Sequence, residues 1–215
     1  ERIFKDAQIV IIDDCVKNSV ERFVPSDFGV NYYNFSRDEL AELLPFGKAK
    51  YFVHDYLQKQ PLKTLNISIG PFLESLFDGP FRGLRFWGDA ERKYDWTSYE
   101  DTGKITAAAI AKKDLIGDFV WIANQLTLQE ISDIYYEVRG VRITPSRLGS
   151  LEDLKKTYEE KVEKNDPAIF FLGIQRVLAD KRSSFAKNDI AEFPEVKPTS
   201  IKEFLLQNPD ATIKE

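Results

Sequence analysis

The sequence predicts an open α/β fold, a parallel sheet whose strands are joined by crossover helices, and three features carry that prediction. Helical and strand-like stretches alternate over residues 1–71. The strand-like stretches stop on turn-forming residues, as "RFVPSDFG" does at 22–29. Further on, "DFVWIAN" at 118–124 reads as a buried strand following a helix rich in small residues. Taken in order, "FKDAQIVIIDDCVKNSV" sets Ile9, Ile12 and Val16 at helical spacing, with Ile11 and Cys15 widening that face. It runs straight into a strand at Phe23-Val24. Residues 36–46 form a loop or short helix ended by Pro45, and "GKAKYFVHDYLQKQ" is a second amphipathic helix with Tyr51, Val53, Tyr56 and Leu57 for its inner face. "LKTLNISIGPF" is the next strand, closed by Gly70-Pro71, which does not continue a ladder. Crossover connections in one sheet are right-handed, so the strands near 22–25, 64–69 and 118–123 are expected to run parallel.

The character changes at 72–97, an aromatic, Gly-rich stretch expected to build a pocket wall. Residues 97–111 then turn helical. "TLQEISDIYYEVRG" pairs Thr127 with Glu130 in a capping box and stops at Gly140. "VRIT" is expected as a short strand, Ser150 with Asp153 and Ser200 with Glu203 as two further helix starts, and the tail as one short helix that frays.

Composition narrows the function. At 215 residues with 43% hydrophobic content, the chain is long enough to bury a sizeable core. A net charge of −5 argues against a nucleic-acid partner, which would call for a basic patch. No apolar run approaches the roughly 20 residues of a membrane span, and the expected location is cytoplasmic. Cys15 is the one cysteine and His54 the one histidine, which removes any cysteine cluster or histidine-rich metal site. The acidic run Asp89, Glu91 and Asp95 reads as a solvated loop before it reads as a metal site, and no metal is expected. Asn34 and Asn66 head Asn-x-Ser sequons that read as chance matches without a leader. There is no Met, and the expectation is that a longer protein precedes residue 1.

Five segments, "RFVPSDFG", "KAKYFVHDYL", "LNISIGPF", "DTGKITAAAI" and "EVKPTSIKEFL", occur in the order and spacing of the isoflavone reductase/NmrA-like family, atypical members of the short-chain dehydrogenase superfamily. The chain resembles its fungal isoflavone-reductase-like branch most. That resemblance implies a Rossmann-type sheet binding NADP(H), its N-terminal strands lying before residue 1, and a smaller C-terminal subdomain closing over a small-molecule substrate. It divides the chain into a remaining Rossmann part at 1–71, the insertion at 72–97, a returning helix and strand at 98–124, and the substrate subdomain at 125–215. It implies cofactor contacts from Pro25, Ser26, Asp27, Phe28 and Gly29 at one strand end, and from Ile69, Gly70 and Phe72 at the next. Ligands of open α/β sheets do sit outside the carboxyl ends of strands. By the residues alone, Ser26 and Asp27 serve equally to cap a turn.

Lys50 matches the lysine that reductases of the family use as general acid/base. An ordinary lysine, with a pKa of about 10.4, is a poor base at neutral pH and needs a special setting to work. Read as sequence alone, it is a solvated helix lysine like Lys48 and Lys59. His54 lies one turn along the same helix and points either into the cleft or to solvent. Trp87 and Trp96 line a pocket for a flat substrate or belong to the core, and Asp101 is expected to cap the helix that follows it. The chain departs from the superfamily at Phe46, where a Tyr-x-x-x-Lys pair would have tyrosine, in keeping with the atypical branch. It also has no Gly before Gly29, so no Gly-rich turn for a pyrophosphate. Two functions follow from the resemblance: a reductase using Lys50, or a non-catalytic NAD(P)-sensing protein that binds a transcription factor. A homodimer or a regulatory partner fits either.

Overall fold

The computed structural model describes residues 3–213. Helix α1 (Asp6–Lys17) leads into strand β1 (Arg22–Phe23), α2 (Arg37–Leu43) and α3 (Gly47–Leu57) follow, and β2 (Lys63–Ser68) lies beside β1. After α4 (Tyr99–Ala111), β5 (Gly117–Val120) joins the other edge of β2. The order β1-β2-β5 is parallel throughout, with Arg22 opposite Lys63 and Leu65 opposite Gly117. The expected parallel sheet and its crossovers are present. Leu65, Ile67 and Ile69 alternate onto the face that Ile105 and Ala109 of α4 cover, with Phe119 and Trp121 completing that cluster. Arg22 fastens the far end of α4, donating to the carbonyls of Ile110, Lys112 and Leu115, which have no partner inside the helix.

Helices α1 and α3 meet through Ile12, Val53 and Leu57. The inner face of α1 is narrower than its sequence suggests: Ile12 is fully buried, whereas Ile11, about 100° round the helix, is exposed. On α3 the buried face takes in Lys50 beside Val53 and Leu57, while Tyr51 and Tyr56 lie at its margins.

The aromatic stretch holds two single-turn 3₁₀ helices, at Leu73–Leu76 and Arg82–Leu84, and two short strands, β3 (Arg85–Trp87) and β4 (Tyr94–Trp96). Strand β4 pairs antiparallel with β6 (Asn124–Leu126), and β3 pairs parallel with β7 (Ser146–Gly149). The strand expected at "VRIT" is therefore displaced to 146–149. The Ile143 carbonyl is held by the Ser132 hydroxyl at 2.6 Å, Pro145 has no N–H to give a ladder, and the partner edge lies opposite Ser146. Asp101 is not the cap of α4 either. Ser98 caps it, and Asp101 sits fully buried in the first turn, accepting from the backbone N–H and hydroxyl of Thr199.

The remaining helices are α5 (Leu128–Arg139), α6 (Leu151–Glu163), α7 (Ile169–Ala179) and α8 (Ile201–Gln207). The expected capping box stands at Thr127, the expected helix starts at Ser150 and Ser200 are capping boxes as well, and a fourth at Ser36 starts α2. The tail does not fray through residue 213. Ile201, Leu205 and Ile213 are buried, and Arg139 donates to the carbonyls of Leu205 and Asn208. The largest core cluster runs from Val30 to Ile213 and gathers Leu40, Leu76, Trp96, Ile131 and Val177. No helix among the described residues is long and apolar enough to cross a membrane.

Candidate functional site

The carboxyl ends of β1 and β2 are tied to each other. The N–H groups of Ile69 and Gly70 both donate to the Gly29 carbonyl, at 3.2 and 2.8 Å. Both turns need glycine. Gly29 holds φ at +129°, and Gly70 holds φ at +71° where a Cβ would fall 2.2 Å from the Asp95 carbonyl oxygen. The Ser26 N–H donates to the Gln8 side chain of α1, which fixes the start of the first turn.

Lys50 reaches this turn from α3. Its side chain is 5% exposed, and its ammonium donates to the Ser26 carbonyl at 2.6 Å and to one Asp27 carboxylate oxygen at 2.9 Å. The Tyr33 hydroxyl donates to the other oxygen of Asp27. Burial, reinforced by the Asp27 charge and that hydrogen bond, pushes the Tyr33 phenol well above its ordinary pKa, so Tyr33 stays a donor. The Lys50 ammonium also lies 4.9 Å from the centre of the Tyr32 ring, whose own phenol is pushed up by burial. Two of the three ammonium protons are thus engaged by the turn.

Three hollows follow one another from this point. The first, about 310 Å³, has Lys50 and Ser26 in its lining with Phe4, Phe46 and Thr102. It shares Phe28, Tyr32 and Phe72 with a second, mainly apolar chamber of about 360 Å³, walled by Gly29, Gly70, Tyr99 and the Phe170, Phe171 and Ile174 side chains of α7. That chamber shares Asp78, Gly79, Pro80 and Phe171 with a third, open hollow of about 590 Å³ lined by Arg82, Arg85 and Gln175. The arrangement sets a buried ammonium beside an apolar, aromatic-walled chamber, a combination of one fixed polar group and apolar surface that is typical of small-molecule sites.

No protein-family profile and no curated protein matches this chain. Solved structures do. A leucoanthocyanidin reductase from Vitis vinifera, in a ternary complex, matches with a TM-score of 0.70 at 16% identity, over 93% of this chain and 73% of that one. An isoflavone reductase matches with a TM-score of 0.73 at 18% identity, over 91% and 71%. A structure from work on pinoresinol-lariciresinol and phenylcoumaran benzylic ether reductases matches with a TM-score of 0.66 at 17% identity, over 93% and 69%. The fold is that of the isoflavone reductases.

Within this isoflavone-reductase fold, the expected site residues divide. Phe28, Gly29, Gly70 and Phe72 line the apolar chamber, and Ser26 and Lys50 line the recess beside it. Pro25 and Ile69 lie in the two strand-end turns, and Asp27 serves as the counter-ion of Lys50. Three residues stand apart. His54 lines neither hollow: its ring packs 4.8 Å from Tyr33, and its Nδ1 is 3.7 Å from the Asp55 carboxylate. Trp96 is fully buried in the core against Phe81 and Tyr94, so it is a packing residue and not a wall of the chamber. Trp87 lies beyond the chamber, its indole N–H donating to Gln175 of α7. The spacing that put the two tryptophans near each other did not tell core from rim, because all three residues of β4 are buried whereas only the central residue of β3 is. The sequence reading missed Tyr32, Tyr33, Tyr99 and the α7 side chains. Their signal was weak: "NYYN" follows the first turn directly, and "AIFFLGI" is a strongly apolar helix in a polar neighbourhood.

Proposed function

We infer that the protein is an NADP(H)-dependent reductase of the isoflavone reductase-like family, acting on an aromatic or small carbonyl-type substrate with Lys50 as the proton donor. The observation that carries this reading is the buried Lys50 ammonium in a recess that adjoins an apolar chamber, in a fold whose solved examples include a leucoanthocyanidin reductase in complex with NADPH. The recess formed by Ser26, Phe28, Phe72 and Thr102 beside Lys50 suits the nicotinamide end of such a cofactor, because it lies at the carboxyl-end turn of β1 and offers aromatic side chains to the faces of a flat ring. The sequence has no Gly-rich turn for the phosphates, so only that end is assigned. When bound, the nicotinamide supplies a hydride.

The chain's own residues do the rest. Asp27 and the Ser26 carbonyl hold the Lys50 ammonium in one place, so a substrate oxygen at the recess meets a positioned N–H. That oxygen takes the proton as negative charge develops on it, and the amine left behind is reprotonated from solvent. Phe28, Tyr32 and Phe72 give the spot apolar walls, next to which a positioned N–H interacts more strongly than it does in water. Lys50→Met is the test. Turnover, read as loss of reduced-nicotinamide absorbance over a panel of aromatic ketones, ethers and quinones, should fall about 10²–10⁴-fold while NADPH binding is retained. Turnover that survives the substitution removes Lys50 from the chemistry. Tight NADPH binding with no turnover across the panel supports the NAD(P)-sensing regulatory reading.

A further inference from the structure

Arg82 and Arg85 are conspicuous in how little they do. Of the other described arginines, four set their guanidinium against a carboxylate. A further four set theirs on backbone carbonyls. Arg82 and Arg85 meet neither among the described residues, although the chain carries a net charge of −5 and offers acidic partners widely. Both are exposed, and both line the same open hollow, which continues through Gly79, Pro80 and Phe171 into the apolar chamber.

The wall between the two arginines and the chamber is fixed. Gln175 of α7 donates to the Pro80 carbonyl at 2.7 Å and accepts from the Trp87 indole at 3.2 Å, which ties α7 to the loop carrying Arg82 and to the strand carrying Arg85. The hollows therefore adjoin in order: the Lys50 recess, an apolar chamber with aromatic walls, and an open hollow with two guanidiniums that have no partner among the described residues. A ligand that fills the chamber and reaches the open hollow has a flat apolar body and an anionic group at one end.

We propose that the chamber binds an aromatic acid, its rings held between Phe72, Tyr99 and the α7 phenylalanines, and its carboxylate, sulfonate or phosphate held by Arg82 and Arg85. The anion then fixes which end of the molecule faces Lys50. Guanidinium suits this role because its planar fork takes such groups bidentately. Asp78 lines the same junction and opposes the anion, so the affinity is set by two cations against one carboxylate. The proposal rests on reading the chamber as the substrate pocket, and it is independent of the chemistry at Lys50.

The test reads binding alone, so its failure is distinct from failure of the reductase assay. The probes are 1-anilinonaphthalene-8-sulfonate and N-phenyl-1-naphthylamine, fluorescent molecules that differ only in the sulfonate. Wild type should bind the sulfonate more tightly than the neutral probe. Arg82→Gln with Arg85→Gln should weaken the sulfonate about tenfold, which corresponds to about 1.4 kcal/mol, and leave the neutral probe unchanged. Ile174→Trp, which fills the chamber, should weaken both probes, and Asp78→Asn should strengthen only the sulfonate. Sulfonate binding that survives the double arginine substitution, or that survives Ile174→Trp, overturns the proposal. So does an equal loss of both probes on removing the arginines.

Discussion

Replacing Lys50 with Met should cost stability as well as turnover, and the size of that cost follows from the geometry. The Lys50 side chain is 5% exposed and that of Asp27 10%, with 2.9 Å between their charged atoms. Met fills the volume of the lysine stem but leaves the Ser26 carbonyl without its donor, and leaves the Asp27 carboxylate with only the Tyr33 hydroxyl. Removing one partner of a buried pair costs about 3–5 kcal/mol, because the remaining charge stays out of water. At this chain length, that lowers Tm by roughly 6–20 °C, at about 2–4 °C for each kcal/mol. Asp27→Asn added to Lys50→Met should return part of the loss, since a neutral amide still accepts from Tyr33 and no longer needs a counter-ion. The double variant is therefore expected to be more stable than Lys50→Met alone. Urea unfolding of wild type, both single variants and the double variant gives the coupling directly, provided the slope m is constant. A loss under about 1 kcal/mol for Lys50→Met, with additive effects in the double variant, would refute the reasoning. The pair would then be no stronger than one in solvent, and Lys50 would not be held in place for a proton transfer.

The glycine turns give a second expectation. Gly70→Ala places a Cβ 2.2 Å from a backbone oxygen at positive φ and should destabilise by more than about 3 kcal/mol, whereas Gly103→Ala in α4, with open space at its Cβ, should be neutral or stabilising by about 0.5–1 kcal/mol; equal melting temperatures for the two variants would contradict this. Glu74 supplies a pH dependence. Burial pushes its carboxyl up, and one oxygen accepts from the Tyr99 N–H at 2.9 Å while the other has no partner among the described residues. A raised folded-state pKa means the folded protein holds this proton more tightly than the unfolded chain. That stability is present below the ordinary value of 4.5 and is lost as pH rises through the raised value. Glu74→Gln removes the dependence, so its stability relative to wild type should climb between about pH 4 and pH 7; a flat difference across that range would show that Glu74 titrates as an exposed carboxyl does.

The sequence by itself determined what depends on neighbours a few residues away. The capping boxes at Thr127, Ser150 and Ser200 were legible because a hydroxyl and an acid three residues on satisfy each other within one turn. The parallel sheet was legible because helix–strand alternation leaves few other topologies. The segments carrying the site were legible too, since a strand that stops on Pro-Ser-Asp-Phe-Gly must end in a turn. Tertiary structure decided the rest. Strand β7 lies where β3, about 60 residues earlier, offers an edge, and nothing local to "VRIT" records that. Trp96 became core and Trp87 rim through the burial of their strands, which spacing does not encode. Lys50 differs from Lys48 and Lys59 only because Asp27 and the Ser26 carbonyl, from a separate turn, meet its ammonium and leave its side chain 5% exposed. Arg82 and Arg85 are set apart in the same way, by what other segments fail to bring to them. Local hydrogen bonding is written in the order of residues; burial and charge pairing arise only when distant segments come together.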